Sequence, residues 1–195
     1  MIIYVAIFIL LVIILSCCCS KQHKNKFTVG AATPVKSRFD GTSYKVHDRS
    51  VDAADTLAQL NRRIIDIMRK LRTEHGDDPA VMKLLARYNP GSLVENSPHN
   101  PEGETSYALD KGREIAMCLR DKNSGELHDL DTLTFVALHE ITHIAIDAAD
   151  HPAEFWDTFR KILIAAEPIY ISPDFAASPQ PYCGLMIDYN PLTLT

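Results

Sequence analysis

The chain has 195 residues, 46% of them hydrophobic and 23% charged, which suits one folded domain with an appended segment and excludes a collagen-like or low-complexity protein. The formal net charge of −5 is unevenly spread: of 20 basic and 25 acidic residues, seven and two fall in the first 50, leaving 13 and 23 beyond. An acidic remainder argues against binding to a nucleic-acid backbone, which needs a basic face, and suits a neutral or basic polypeptide.

Ile2 to Leu15 is an unbroken apolar run, and Ser16 to Cys19 extend it to the lower limit for a membrane-spanning helix. No basic residue precedes it and no Ala-x-Ala-like cleavage site follows it, so residues 1–19 read as a transmembrane anchor rather than a signal peptide. Leu15-Ser16-Cys17 matches a bacterial lipoprotein signal only in part. Lys21, Lys24 and Lys26 on the C-terminal flank place that side in the cytosol. The expectation is a single-pass membrane protein with its C-terminal domain on the cytosolic side. Cys17, Cys18 and Cys19 lie at the boundary, as candidates for S-acylation or as small apolar wall residues. The other two cysteines, Cys118 and Cys183, are far apart and form no Cys-x-x-Cys. That spacing is no disulfide framework; it points to a reducing compartment and to two buried small residues.

Residues 20–50 are polar and basic, with turn signals at Thr33-Pro34 and Asp40-Gly41. They read as a juxtamembrane linker with one short strand at most, solvated or resting on anionic lipid. The folded domain is then expected over residues 51–195. Asp52 or Asp55 can cap a helix running to about His75, with Leu57, Leu60, Ile64, Ile67 and Leu71 as its apolar stripe. Pro79 opens a second helix to Tyr88, with Val81, Leu84 and Leu85 inward. Residues 89–104 read as loop around a short strand at Leu93-Val94. A hairpin follows: Thr105 to Leu109, a turn at Asp110-Lys111-Gly112, then Arg113 to Arg120. Residues 121–131 form a polar loop, with Asp131 or Thr132 at the next helix cap.

That next helix carries the chemistry. No Pro or Gly interrupts residues 131–149, and within them stands His139-Glu140-Ile141-Thr142-His143. At 3.6 residues per turn, the two imidazoles leave one face a turn apart and can grip one metal ion, while Glu140 can hold a water on it and take its proton. Leu133, Phe135, Val136, Leu138, Ile141, Ile144 and Ile146 cover almost every face, so the helix is expected to be buried. Burying two imidazoles and a carboxylate costs several kcal/mol unless something pairs them. The bland alternative is two hydrogen-bonded core histidines.

A catalytic zinc usually has three protein ligands, and Asp147, Asp150, His151 and Glu154 follow. Asp147, a further turn along the same face, better suits a role supporting the ligands. His151 precedes Pro152, where a new helix begins, and the intervening turn would bring His151 back as third ligand. Its competing role is to cap that helix, with Glu154 closing a capping box. Phe155, Phe159, Ile162, Leu163 and Ala166 form the apolar side of this helix, with Trp156 adjoining. In the Pro- and Tyr-rich tail, Tyr170 and Tyr182 are candidates to stabilise an oxyanion, against the plainer reading of buried aromatic packing.

His139-Glu-Ile-Thr-His143 followed by His151-Pro-Ala-Glu-Phe155-Trp156 resembles the WLM and SprT-like zinc metallopeptidases, in which a third His precedes a Phe-Trp pair. The phrases Thr105-Ser-Tyr-Ala-Leu-Asp-Lys-Gly112, Cys118-Leu-Arg120, Thr132-Leu-Thr-Phe-Val-Ala-Leu-His139 and Tyr182-Cys-Gly184 look closer still to WLM-like proteins of large DNA viruses. The resemblance spans residues 92–191. It implies an α+β, compact zincin-like domain with a small mixed sheet and an active-site helix, one catalytic Zn2+ held by His139, His143 and His151, and Glu140 as base. The spacer from Ile144 to Asp150 is longer than in many members. In zincins an edge strand before the metal helix pairs with extended substrate, and Arg113 to Arg120, with Ile115, Met117 and Leu119, is the strand expected to do so here. Cellular WLM relatives act on proteins crosslinked to DNA, a substrate that the anchor and the acidic domain argue against.

Two functions follow as expectations. One is a membrane-anchored zinc endopeptidase acting on a polypeptide substrate. The other is a catalytically silent zincin-fold scaffold of a viral membrane or capsid, partnered by viral structural proteins and located in the virion membrane.

Overall fold

A computed structural model describes residues 31–97, 99 and 105–193. The expected anchor, Cys17 to Cys19 and residues 20–30 lie outside the described residues. Among the described residues no helix is long and apolar enough to cross a membrane.

The fold is α+β. A five-stranded mixed sheet runs in the order β1 (Thr33–Lys36), β2 (Ser43–Val46), β3 (Leu93–Asn96), β5 (Glu114–Cys118), β4 (Tyr107–Leu109). β1 pairs antiparallel with β2, β2 parallel with β3, β3 parallel with β5, and β5 antiparallel with β4. Among the described residues four α-helices pack with it: α1 (Val51–His75), α2 (Pro79–Arg87), α3 (Leu130–Ile146) and α4 (Ala153–Ala166). α1 packs on β1, β2 and β3 and also touches the other three helices, while α3 packs on β4 and β5. A separate hairpin of β6 (Gln180–Tyr182) and β7 (Leu185–Ile187) closes the domain.

Local chemistry explains the helices. The five stripe residues of α1, Leu57, Leu60, Ile64, Ile67 and Leu71, are fully buried. Its cap is Ser50, whose hydroxyl accepts from the Ala53 amide, not the predicted Asp52 or Asp55. α2 starts at Pro79 behind Asp78, which accepts from the Ala80 and Val81 amides. α3 is capped by Asp129, whose carboxylate accepts from the amides of Asp131 and Thr132; the expected Asp131 and Thr132 are themselves in the first turn. Phe135, Phe155, Phe159 and Phe175 are among the largest fully buried side chains, and they join α3, α4 and the tail in one core.

Three expectations need correction. Residues 33–46 are not linker: β1 and β2 belong to the sheet, and Tyr44 and Val46 are buried in the core. Asp55 of α1 fastens their turn by accepting from Ser37 Oγ and from the Arg38 amide, at 2.9 and 2.7 Å. Strands of four residues gain their identity from neighbours far along the chain, which a basic, polar stretch does not advertise.

The second concerns the hairpin. β5 lies between β3 and β4, and Ile115, Met117 and Leu119 are fully buried. The edge strand is β4. The buried ion pair of Arg120 Nε with Glu95 Oε1, at 3.0 Å, adds a polar tie between the ends of β5 and β3. β4 meets β5 through a turn in which Asp110, Lys111 and Gly112 all have positive φ. A Cβ on Gly112 would stand 2.9 Å from Ile144 Cδ1, so glycine lets this turn press on α3.

The third concerns the cysteines. Cys118 and Cys183 are joined by a disulfide, which ties the β6–β7 turn to the end of β5. A separation of 65 residues carries no spacing signal, and only the folded-back tail brings the two together. The bridge removes the ground for expecting a reducing compartment.

Candidate metal centre

α3 is buried on nearly all sides, as its composition requires, and presents His139 and His143 one turn apart. Its end is set by Asp147, which adopts the left-handed conformation (φ 59°) and donates its amide to the His143 carbonyl. The chain then reverses through residues 148–151, so that His151 faces the other two histidines. α4 starts behind Pro152 with no side-chain cap, so the capping role considered for His151 and Glu154 is not made.

The three rings form a near-equilateral group. Centroids are 5.1 Å apart for His139–His143 and 4.9 Å for each of the other pairs. One ligand atom from each lies within 4.8 Å of the others, and the three could hold a metal ion. Phe155 packs against all three rings, at 4.8, 4.6 and 4.5 Å from His139, His143 and His151, and Trp156 lies 5.5 Å from His151. An apolar floor of this kind fixes the rings without competing for the ion.

The donor set suits a cation. His143 Nδ1–H donates to the Ala148 carbonyl at 2.7 Å, leaving Nε2 with a free lone pair. His139 Nδ1 is 2.9 Å from the Tyr189 hydroxyl, so its Nε2 likewise faces inward. His139 Nε2 and His151 Nε2 meet at 3.0 Å. Two imidazole nitrogens bound at zinc distances and a tetrahedral angle are roughly 3.3 Å apart. Burial, reinforced by His143 and His151, pushes the His139 imidazole down to about 3, and burial also lowers His143. Both stay neutral near pH 7, the form that binds metal.

Glu140 is buried beside this group, where two cavities meet. The larger, about 750 Å3, is an open cleft between residues 105–109 and α3, with His139, Glu140, His143 and His151 in its wall. The smaller, about 200 Å3, lies on the far side of His139 and Glu140, against the β6–β7 hairpin.

Other predicted site residues fall out differently. Tyr182 is buried near Glu140, but its hydroxyl is engaged by Ser106 Oγ at 2.6 Å, and Ser106 also accepts from the Cys118 amide at 3.0 Å. Tyr170 packs near Arg63, at the other end of α3, away from the histidines. Burial raises both phenols above the ordinary range. Asp147 does not support the ligands: it pairs with Arg87 and with Lys83 at 3.1 Å, and Arg87 above all holds it down to about 2. Ile115, Met117 and Leu119 are core residues, and the cleft is edged instead by residues 105–109. Tyr189 was not anticipated. Its only signal in the sequence is membership of a Tyr-rich tail.

No family model matches the chain. It is similar to an uncharacterized protein, R325, of Acanthamoeba polyphaga mimivirus, 34% identical over 178 residues that cover 84% of this chain and 86% of that protein. An uncharacterized protein, 136R, of Invertebrate iridescent virus 6 is 32% identical over 84 residues, covering 42% of this chain and 47% of the relative. Among solved structures, a Wss1 mutant from S. pombe aligns over 53% of this chain and 85% of its own, with 23% identity and a TM-score of 0.34, too low to carry an argument. With more than four fifths of both chains aligned at this identity, the protein belongs to the family of the mimivirus protein R325.

Proposed function

We propose that this protein is a zinc-dependent endopeptidase. The observation that carries the reading is the convergence of three imidazoles, His139, His143 and His151, beside a buried carboxylate at the wall of an open cleft. A bound zinc ion would supply the positive charge that acidifies water and polarises the peptide carbonyl. Glu140 is positioned to accept the proton that the attacking water loses as its oxygen bonds to the carbonyl carbon. As the C–N bond breaks, Glu140 returns that proton to the leaving amine, so that one peptide and one water become a carboxylic acid and an amine. β4 is an outer strand of the sheet and borders the cleft, and addition of an extended substrate to it would hold the scissile bond over the histidines. The apolar run at residues 2–15 supports a membrane-anchored enzyme.

The test is metal content and turnover together. Full-length protein should hold about one zinc per chain, and His151→Ala should lose most of it, because two imidazoles are a weak site. Glu140→Gln should retain the zinc and lose peptide hydrolysis by at least about 100-fold, the usual span for removing a general base. Unchanged hydrolysis in that variant, or full zinc in His151→Ala, sinks the proposal.

A further inference from the structure

The geometry points to a subsite for an acidic side chain at the Lys111 end of the cleft, where the Lys111 ammonium pairs with an Asp or Glu of the substrate within about three residues of the cleaved bond. The inference rests on the peptidase reading and gives it a substrate class: polypeptides with a carboxylate side chain near the cut.

The charges in the wall decide the chemistry. Among the described residues lining the cleft, Lys111, Glu140 and Asp147 carry formal charge. Glu140 lies with the histidines, and Asp147 is already matched: Arg87 pairs with its Oδ1, and Lys83 with its Oδ2 at 3.1 Å. The Lys111 ammonium is a third cation on the same carboxylate, 3.9 Å from Oδ1, too far for a hydrogen bond. Its side chain is 65% exposed. Three cations around one carboxylate leave an excess of positive charge at this end. Asp110, in the same turn, does not cancel it, because its carboxylate pairs with Arg113. Asp150 acts on His143 but does not line the cleft. The domain is acidic as a whole, yet exposed charges farther off than about 8–10 Å are largely screened, so the near cations set the field a substrate meets.

The turn holds Lys111 where a substrate passes. Asp147 follows His143 by four residues, a helical rise of about 6 Å, which puts Lys111 roughly two to three extended residues from the histidines. The backbone at this point is fixed by packing: Gly112 presses on Ile144, which also lines the cleft. Lys111 itself stands at φ 59°, in the left-handed region where Gly, Asn and Asp are the favoured residues. Lysine costs stability at such a position, and the carboxylate it approaches is already paired without it. What its side chain adds is a positive charge in the cleft wall.

The test is a map of cut sites. Zinc-loaded full-length protein digests a random peptide library with amidated C-termini, and the cuts are read by mass spectrometry. Asp and Glu should be enriched about three- to fivefold at one position within three residues of the cut, the worth of one solvent-facing ion pair. At 1 M salt, where the screening length falls to about 3 Å, the enrichment should largely vanish. Lys111→Glu should replace it with an enrichment of Lys and Arg at the same position. Lys111→Asn, which suits the left-handed backbone better, should abolish the acidic enrichment with a melting temperature equal to the wild type or higher. A lower melting temperature in Lys111→Asn makes the residue a structural partner of Asp147 and overturns the assignment. So does an acidic enrichment that survives in Lys111→Glu, or one seen only with free C-termini, which assigns the carboxylate to the chain end. Zinc-loaded protein that cuts with no acidic preference overturns the subsite and leaves the peptidase standing; zinc-loaded protein that makes no cut overturns both.

Discussion

Tyr189 occupies the position from which a metal ligand is usually steadied. Once His139 Nε2 is committed to an ion, Nδ1 carries the proton and donates it to the tyrosine oxygen, 2.9 Å away. That bond fixes the tautomer and the tilt of the ring, and Trp156 braces the tyrosine edge-on at 5.4 Å. Tyr189→Phe keeps the aromatic packing and removes only the acceptor. It should weaken zinc binding by about 10-fold, at the low end for loss of such a support. Competition against a zinc chelator checks this, and an unchanged zinc affinity with normal thermal stability would reduce Tyr189 to packing. At this scale the sequence was only half readable. His139, Glu140 and His143 are bound by helical spacing, which five residues reveal. His151 needed a turn inferred from Pro152, and Tyr189 reaches the site from 50 residues away through tail packing that leaves no periodic trace.

Among the elements, the helices were legible and the sheet was not. The α1 stripe, Pro79 before α2 and the buried character of α3 are all local patterns. Sheet order is not local: β4 and β5 read alike as halves of a hairpin, and which one becomes the edge depends on β3 pairing with β5 across a parallel connection. The joint between α2 and α3 is a related case. Asp147 was expected to support the metal ligands, yet its carboxylate holds Arg87 and Lys83 of α2 against the end of α3. Its pKa is held near 2, first by Arg87 and then by Lys83, against an ordinary value of 3.8. A depressed carboxylate stabilises the fold fully above its unfolded pKa and stops doing so as pH falls through the folded one. Asp147→Asn keeps the shape and tolerates the left-handed backbone. In metal-free protein, the melting temperature of the wild type should therefore exceed that of Asp147→Asn at pH 6, and the gap should close as pH falls from about 4 to 2. A gap that persists at pH 2 would assign the effect to packing. High salt at pH 6 should narrow it, because the pairs are partly solvent-exposed.

At the scale of the whole domain, a covalent tie closes the described residues. The tail after α4 crosses the domain, places Phe175 in the core and returns as the β6–β7 hairpin. That hairpin is small, with three residues per strand, and two of its apolar side chains are largely exposed. A two-stranded hairpin of this size is marginal by itself. The Cys118–Cys183 bridge joins its turn to β5 and closes a loop spanning 65 residues of sequence. Chain-entropy arguments give such a loop about 4 kcal/mol of stabilisation, a ceiling that residual structure in the unfolded chain lowers. The double variant Cys118→Ala, Cys183→Ala should thus lose about 2–4 kcal/mol in urea unfolding. The loss should also be uneven. α3 and the three histidines are held by the buried phenylalanine cluster and by Phe155, none of which needs the bridge. Zinc content should therefore survive in the double variant, while limited proteolysis should cut first within residues 176–187. Loss of zinc in step with loss of stability would instead make the hairpin, and with it Tyr182 and Tyr189, a support on which the whole metal centre depends.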